Sequence, residues 1–332
     1  MNRHIDEEQT GGGPVGIGVS FLVIDADQAG QRLDNFLIAR LKGVPKSKIY
    51  NVIRKGEVRV NKGRIKPEYK LVAGDWVRIP PIRTAEAGTE VKASDQMIAL
   101  LDKSILFEDE GLLVVNKPPG LAVHGGSGVV LGLIETLRQM RPHARHLELV
   151  HRLDRDTSGC IMVAKKRSYL RHLQAALREK SAGFGGVEKI YLALVLGDWP
   201  KRCHRINAPL MKFEVAGGER IVKVHYEGKP SLTEFDVLKR YEGFTLVEAR
   251  PITGRTHQIR VHAQYAGHSL AGDEKYGNDA INEILRDLGL KRLFLHASAL
   301  SFYLPDSDQK VRVEAPLLPD LTILLSKLTE KN

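Results

Sequence analysis

The 332-residue chain has only two cysteines, Cys160 and Cys203, and no CxxC spacing. That rules out a disulfide framework and gives a cysteine-based zinc site no support, so two reduced, structural thiols are expected. No apolar run approaches the roughly 18 residues of a membrane helix. The amino terminus, MNRHIDEEQTGGGPVG, also lacks the basic-then-apolar order of a secretion signal. A cytoplasmic protein with no membrane partner is the expectation. The sequence contains no GxxxxGK[ST], no GxGxxG after a strand, no HExxH and no GxSxG. Nucleotide loops, zincin hydrolysis and the serine-hydrolase elbow therefore have no sequence support. Neither a metal nor an organic cofactor is expected. The histidines do form two loose groups, His143, His146 and His151, then His257, His262 and His268. Their spacings match no ligand pattern, and no cysteine or paired carboxylate joins them.

Positive charge, in contrast, is concentrated. The net charge is +10, and residues 31–80 carry thirteen Lys and Arg against four Asp and Glu. Nearly all of the excess thus sits in fifty residues, which favours a polyanionic partner for that segment. The rest of the chain is close to neutral.

Residues 1–20 are polar and Gly-rich and read as a tail; a compact module follows over 21–82. In QRLDNFLIARLKG, residues Leu33, Phe36, Leu37 and Leu41 keep helical spacing and Gly43 ends the run. PKSKIYNVIRKG repeats the pattern, with Ser47 as a candidate N-cap and Gly56 as the stop. EVRVN alternates like a strand, NKGR supplies a turn, and LVAGDWVRIP closes the module with a second strand. This leaves Lys46, Lys48, Arg54, Lys55, Arg59, Lys62, Arg64 and Lys66 on the outside. The module resembles the S4 RNA-binding domain, in its RLDNFL opening, its KGEVRVN turn-strand and its AGDWVRIP ending. The resemblance implies that these cations contact RNA.

Residues 83–100 read as a linker, polar and without periodicity. Residues 101–330 are rich in short strands, among them SILFEDEGLLVVNKP, SGCIMVAKK, KIYLALVLG, LTEFDVLKRY, FTLVEARP and LFLHASALSFYLP. Helices are suggested at SYLRHLQAALREK and around THQIRVHAQYAG, which Gly267 can terminate. Hairpins with few helices predict an α+β domain whose mixed sheet is largely antiparallel and flanked by helices. No internal repeat is visible.

Between the apolar runs of LVHRLDRDTSGCIMVAKK lie four charges, Arg152, Asp154, Arg155 and Asp156. Charges at a strand end are costly to bury unless paired. A surface turn, an internal salt-bridge network and an active site all fit the spacing.

HRLDRDTSG, residues 151–159, resembles the signature of the RluA-type pseudouridine synthases. LLVVNKPPGLAVHGG precedes it; KIYLALV, GRTHQIRVHAQYAGHSLAGDEKYG and RLFLHASAL follow in the family's order. The resemblance spans nearly the whole chain beyond residue 20. Within the family, KGVPKSKIY, RIKPEYKL and VHGGSG are most similar to members acting on large-subunit (23S) ribosomal RNA. It implies isomerisation of uridine to pseudouridine in that RNA; a monomer is the expectation. Synthases acting on tRNA or on other ribosomal uridines remain open, as does a noncatalytic RNA-binding protein of ribosome assembly. By family position Asp154 is the catalytic carboxylate, although spacing alone does not exclude Asp156. Arg260 is its basic partner, Tyr191 stacks on the target base, and Arg152 fills the space that the extruded nucleotide leaves. Arg255 contacts phosphate or serves local structure; Lys117 and His151 are structural. Two departures, the longer connection in EKSAGFGGVEKIY and Ser269–Leu270 in GHSLAGD, touch no proposed catalytic group.

Overall fold

The structure, a computed structural model, describes residues 18–26, 28–41, 43–82, 91–125, 131–144, 146–178, 186–214 and 220–331. The chain divides into two compact units, Met1–Glu90 and Val91–Asn332.

In the first unit, strand β1 (Ser20–Val23), helices α1 (Leu33–Arg40) and α2 (Lys46–Arg54), and strands β2 (Arg59–Val60) and β3 (Trp76–Ile79) follow in order. The strands form one antiparallel sheet in the order β1-β3-β2. Leu33, Phe36 and Leu37 of α1 and Ile49, Val52 and Ile53 of α2 pack on Val60, Val77 and Ile79 of the sheet. One stripe per helix is thereby buried, as spacings of three and four residues require. The helix starts are set locally. Asp34 is buried, accepts bonds from the Arg32 guanidinium (2.6 Å) and the Tyr50 hydroxyl (3.0 Å), and so ties the entry of α1 to α2. The Arg32 bond holds its carboxyl below the usual range. Pro45, whose φ is preset, precedes the first residue of helix α2 at the N-cap position, and Ser47 makes no cap; that expectation is corrected. The NKGR turn is a two-residue hairpin, with Asn61 and Lys62 both at positive φ (51° and 68°) and Val60 and Gly63 exchanging backbone bonds.

The second unit is built on a ten-stranded sheet. Its strands are β4 (Ile105–Glu108), β5 (Leu112–Lys117), β6 (Glu148–Leu149), β7 (Ser158–Ala164), β8 (Glu188–Leu196), β9 (Arg205–Asn207), β12 (Leu232–Tyr241), β13 (Phe244–Pro251), β14 (Leu295–Tyr303) and β15 (Lys310–Glu314). A separate hairpin joins β10 (Leu210–Glu214) to β11 (Arg220–Val224). The main order is β4-β5-β7-β14-β8-β13-β12-β9, with β15 beside β14 and β6 beside β7. Only the pair β7 and β14 is parallel among the described residues, so the sheet is mixed and largely antiparallel. Helices are α3 (Asp95–Lys103), α4 (Leu133–Met140), α5 (Arg167–Ala176), α6 (Gln258–Tyr265), α7 (Asp279–Asp287) and α8 (Pro319–Lys327).

Strands β5 and β7 are buried along their whole length, which is why both read as continuous apolar runs. Alternate residues serve opposite faces. Leu113, Val115, Ile161 and Val163 meet Leu133, Ile134 and Leu137 of α4. Leu112, Val114, Cys160 and Met162 meet Leu170 and Leu173 of α5. In the other half of the sheet, Ala193, Val195, Val247 and Ala249 carry Ile259 and Ala263 of α6, while Leu194 and Leu246 face α7 and α8.

The boundaries differ from the sequence reading at two places. Ser20, assigned to the tail, pairs with Ile79 in β1; residues 1–17 lie outside the described residues. Residues 95–100, assigned to the linker, form the start of α3, because the Ser94 hydroxyl caps the Met97 amide and Leu101 is buried. Residues 83–90 of that linker also lie outside the described residues.

Candidate active site

The loop that carries the four charges is fixed from below. Gly159, at φ 108°, lets β7 run against β14; a Cβ there would lie 2.2 Å from the Ala297 carbonyl oxygen. Lys117, fully buried at the end of β5, donates to the carbonyls of Pro118, Leu121 and Arg155 at 2.8–2.9 Å. Burial lowers its pKa to about 7, while three carbonyl acceptors fit the three donors of an ammonium. His151 Nε2 accepts from the Met162 amide at 3.1 Å, and burial brings its pKa down to about 4, so the ring is neutral. These two groups hold the loop on either side of Asp154, in keeping with the structural roles expected of them.

The four charges separate. Arg155 and Asp156 pair with each other at 3.0 Å on the surface. Arg152 is exposed, and among the described residues it has no ion pair. Asp154, with its side chain 21% exposed, lies 3.7 Å from Arg260 Nη1 and 3.8 Å from His257 Nε2.

Arg260 reaches Asp154 from α6, where its neighbours Ile259 and Ala263 are pinned to the sheet. It is buried rather than on a solvent face, and Asp273 grips it through two bonds of 2.7 Å. Burial alone would lower the guanidinium's pKa; the bonds to Asp273 and the charge of Asp154 outweigh it and raise the value. The Tyr276 ring covers the guanidinium at 4.9 Å. One cation therefore faces two carboxylates, which leaves Asp154 incompletely neutralised.

The same tyrosine sets the orientation of His257. Its hydroxyl accepts from the Val222 amide at 3.0 Å and lies 2.7 Å from His257 Nδ1. Burial lowers the pKa of His257, consistent with a neutral ring. Its backbone is left-handed (φ 54°), a conformation that non-glycine residues adopt at a cost of order 1–3 kcal/mol.

Tyr191 stands on β8 opposite Ala297 of β14 and Ala249 of β13. Two small neighbours leave room for the ring. Burial, and secondarily Asp154, push its hydroxyl well above the usual range, so it stays a phenol at neutral pH. Asp154, Tyr191, Arg260, Arg152 and Arg255 all line one cavity of about 530 Å³, although they come from three separate stretches of sequence. Arg255 also donates to the Pro230 carbonyl at 3.2 Å. A second cavity, of about 860 Å³, shares Arg152, Asp154, His257 and Arg260 and adds Lys275, Lys291 and Arg292. Asp154 is thus in the wall common to both, whereas Asp156 lines only the second.

Lys46, Lys48, Arg54, Lys55, Arg59, Lys62 and Arg64 lie in the first unit, all exposed. Among the described residues none of them makes an ion pair. The histidines have separate partners: His262 bonds Thr233 and the Ala208 carbonyl, and His268 the Leu196 carbonyl. No cluster of three or more His, Cys, Asp or Glu among the described residues is arranged to hold a metal, and no helix among them is long and apolar enough to cross a membrane.

A family model described as RNA pseudouridylate synthase matches residues 111–265, and one described as S4 domain matches residues 31–77. The chain is 55% identical over 332 residues to a ribosomal large subunit pseudouridine synthase C of Pasteurella multocida, covering 100% of this chain and 99% of that one. The chain belongs to the RNA pseudouridylate synthase family. It is accordingly an enzyme that makes pseudouridine in RNA. The Escherichia coli (strain K12) protein of the same description is 57% identical over 313 residues, covering 93% of this chain and 97% of its own. Among solved structures, human RNA pseudouridylate synthase domain containing 4 aligns with TM-score 0.56 at 26% identity, over 71% of this chain and 98% of its own. The α+β fold with an S4 domain at its amino terminus agrees with the sequence reading.

Sequence reasoning gave no role in this site to His257, Asp273 or Tyr276. Asp273 and Tyr276 stand three apart in AGDEKYG, whose charged Glu274 and Lys275 make it read as a surface turn, so the sequence carried no signal of their burial.

Proposed function

We propose that the enzyme isomerises uridines of large-subunit (23S) ribosomal RNA in the cytoplasm, with Asp154 as the reacting carboxylate. The observation that carries this reading is the placing of Asp154, partly exposed and only partly neutralised, between two cavities lined by cations. The names of the relatives support the substrate class.

The target uridine leaves the RNA stack and enters the smaller cavity. Stacking on Tyr191 contributes about 1–3 kcal/mol, comparable to the few kcal/mol that unstacking costs. The N1–C1' bond breaks, the base turns, and C1' bonds to C5; the C5 proton leaves to solvent and N1 gains one. No redox partner or energy donor is needed for that balance. Arg260 sets a cation 3.7 Å from the carboxylate that attacks the sugar or base, or removes a ribose proton. Tyr191, held as a phenol, serves first as a wall for the base. Arg152, free of ion pairs among the described residues, takes the space that the nucleotide vacates, where a guanidinium can stack on bases and contact phosphate. Arg255 contacts the backbone beside it. Lys46, Lys48, Arg54, Lys55, Arg59, Lys62 and Arg64 anchor folded ribosomal RNA through phosphates.

Tritium release from 5-labelled uridine in large-subunit RNA tests the reading. The native chain releases tritium and Asp154→Asn does not, and sequencing then maps the modified positions. Release from tRNA alone would reassign the substrate; none from any RNA would leave a binding protein.

A further inference from the structure

Lys189 has no part in the site as described so far. It precedes Tyr191 by two on β8, so both side chains leave the same face of the strand, and both line the smaller cavity. The neighbouring carboxylate, Glu188, points the other way and lies 3.7 Å from Lys310. Gly254 of the same cavity wall lies beside it, where a Cβ would stand 3.8 Å from the Lys189 ammonium, an ordinary contact. Among the described residues no hydrogen-bond acceptor or carboxylate partners this ammonium. Among them, too, Asp154 is the only carboxylate on the cavity wall, and Arg152, Arg178, Arg255 and Arg260 share that wall.

We propose that Lys189 is a phosphate-binding residue: its ammonium takes a non-bridging oxygen of a phosphodiester adjacent to the extruded uridine. Among the described residues this half-buried cation has no counter-charge, and partial desolvation at the cavity wall pulls its pKa down to about 8. A phosphodiester restores the missing charge; a neutral base carbonyl does not. The position two residues from Tyr191 puts this anchor next to the base platform, so one strand holds both the base and its backbone. The inference rests on the uridine-isomerising reading above.

The test uses a ribosomal RNA fragment on which the native full-length chain has first been shown to form pseudouridine. Fragments carry one methylphosphonate, either 5' or 3' of the target uridine. Lys189→Met raises KM roughly tenfold with kcat changed by less than about twofold, and lowers the salt slope of binding by the equivalent of about one phosphate. Lys189→Arg retains most of the affinity. At one of the two linkages, the methylphosphonate raises KM for the native chain by a similar factor and has no further effect on Lys189→Met. Penalties that multiply at both linkages overturn the proposal. So does a native chain indifferent to both, or a Lys189→Met variant that loses only kcat. Should Lys189→Met fail to fold, Lys189→Gln takes its place, and the native chain's response to the two linkages still decides. If the native chain converts no fragment, the functional reading itself has failed; if it converts them regardless of Lys189, only this inference has.

Discussion

The two units use charge in opposite ways. In the first, the basic side chains from Lys46 to Arg64 stand exposed without ion pairs among the described residues, and the buried network around Asp34 is confined to one helix entry. In the second, the cation nearest the reacting carboxylate is enclosed and committed: Arg260 is buried against Asp273 and faces Asp154. Exposed, unpaired cations cost the fold little and can be given to a polyanion. Enclosed ones are part of the fold, and their arrangement sets the chemistry.

The sharpest break of this comparison is Asp273→Asn. It removes the main partner of a buried guanidinium, and breaking such a pair costs about 3–5 kcal/mol. Urea denaturation is expected to show that loss, with activity falling at least in step because Arg260 no longer holds its position beside Asp154.

The second effect depends on pH and is specific to the catalytic unit. His151 is neutral in the fold, with a pKa of about 4 against an ordinary 6.5. Between those values the unfolded chain binds more protons, so stability is complete above about pH 6.5 and declines as pH falls toward 4. At 1.36 kcal/mol per unit the window is worth at most about 3 kcal/mol. Unfolding midpoints at pH 7 and 4.5 should therefore lie closer together in His151→Gln than in the native chain.

The smallest effect on stability is expected in the first unit. Replacing Lys46, Lys48, Arg54 and Lys55 together by Gln should change unfolding by no more than about 0.5 kcal/mol per site. Ribosomal RNA binding should weaken, and its salt slope should fall by about 0.7–0.9 for each phosphate that is no longer neutralised. A large loss of stability with unchanged binding would reverse the contrast between the units.

The sequence made the first unit legible because its helices bury one regular stripe each and its turns are marked by Gly43, Gly56 and the Asn61–Lys62 pair. Strands β5, β7, β8, β13 and β14 were legible as apolar runs for a similar reason. Helix α7 was not: only Asn282 and Leu285 are buried in it, too few to show a period. Strands β9 to β11 are short, and their pattern is correspondingly weak. In the site, HRLD and HQIR stood out as motifs, whereas His257, Asp273 and Tyr276 acquire meaning only through contacts between α6, β11 and the loop before α7. Lys189 sits in a strand, where alternation alone does not tell a cavity wall from an outer face.

The carboxylate at position 154, and not its neighbour at 156, is held to perform the chemistry, and every other role in the site depends on that assignment. The direct measurement is single-turnover tritium release from 5-labelled uridine in ribosomal RNA by Asp154→Asn and Asp156→Asn, each checked for RNA binding. The expected result is a loss on the order of 10⁴-fold or more for Asp154→Asn with binding retained, and a loss below about tenfold for Asp156→Asn. Substantial release by Asp154→Asn, or a collapse confined to Asp156→Asn, would contradict it.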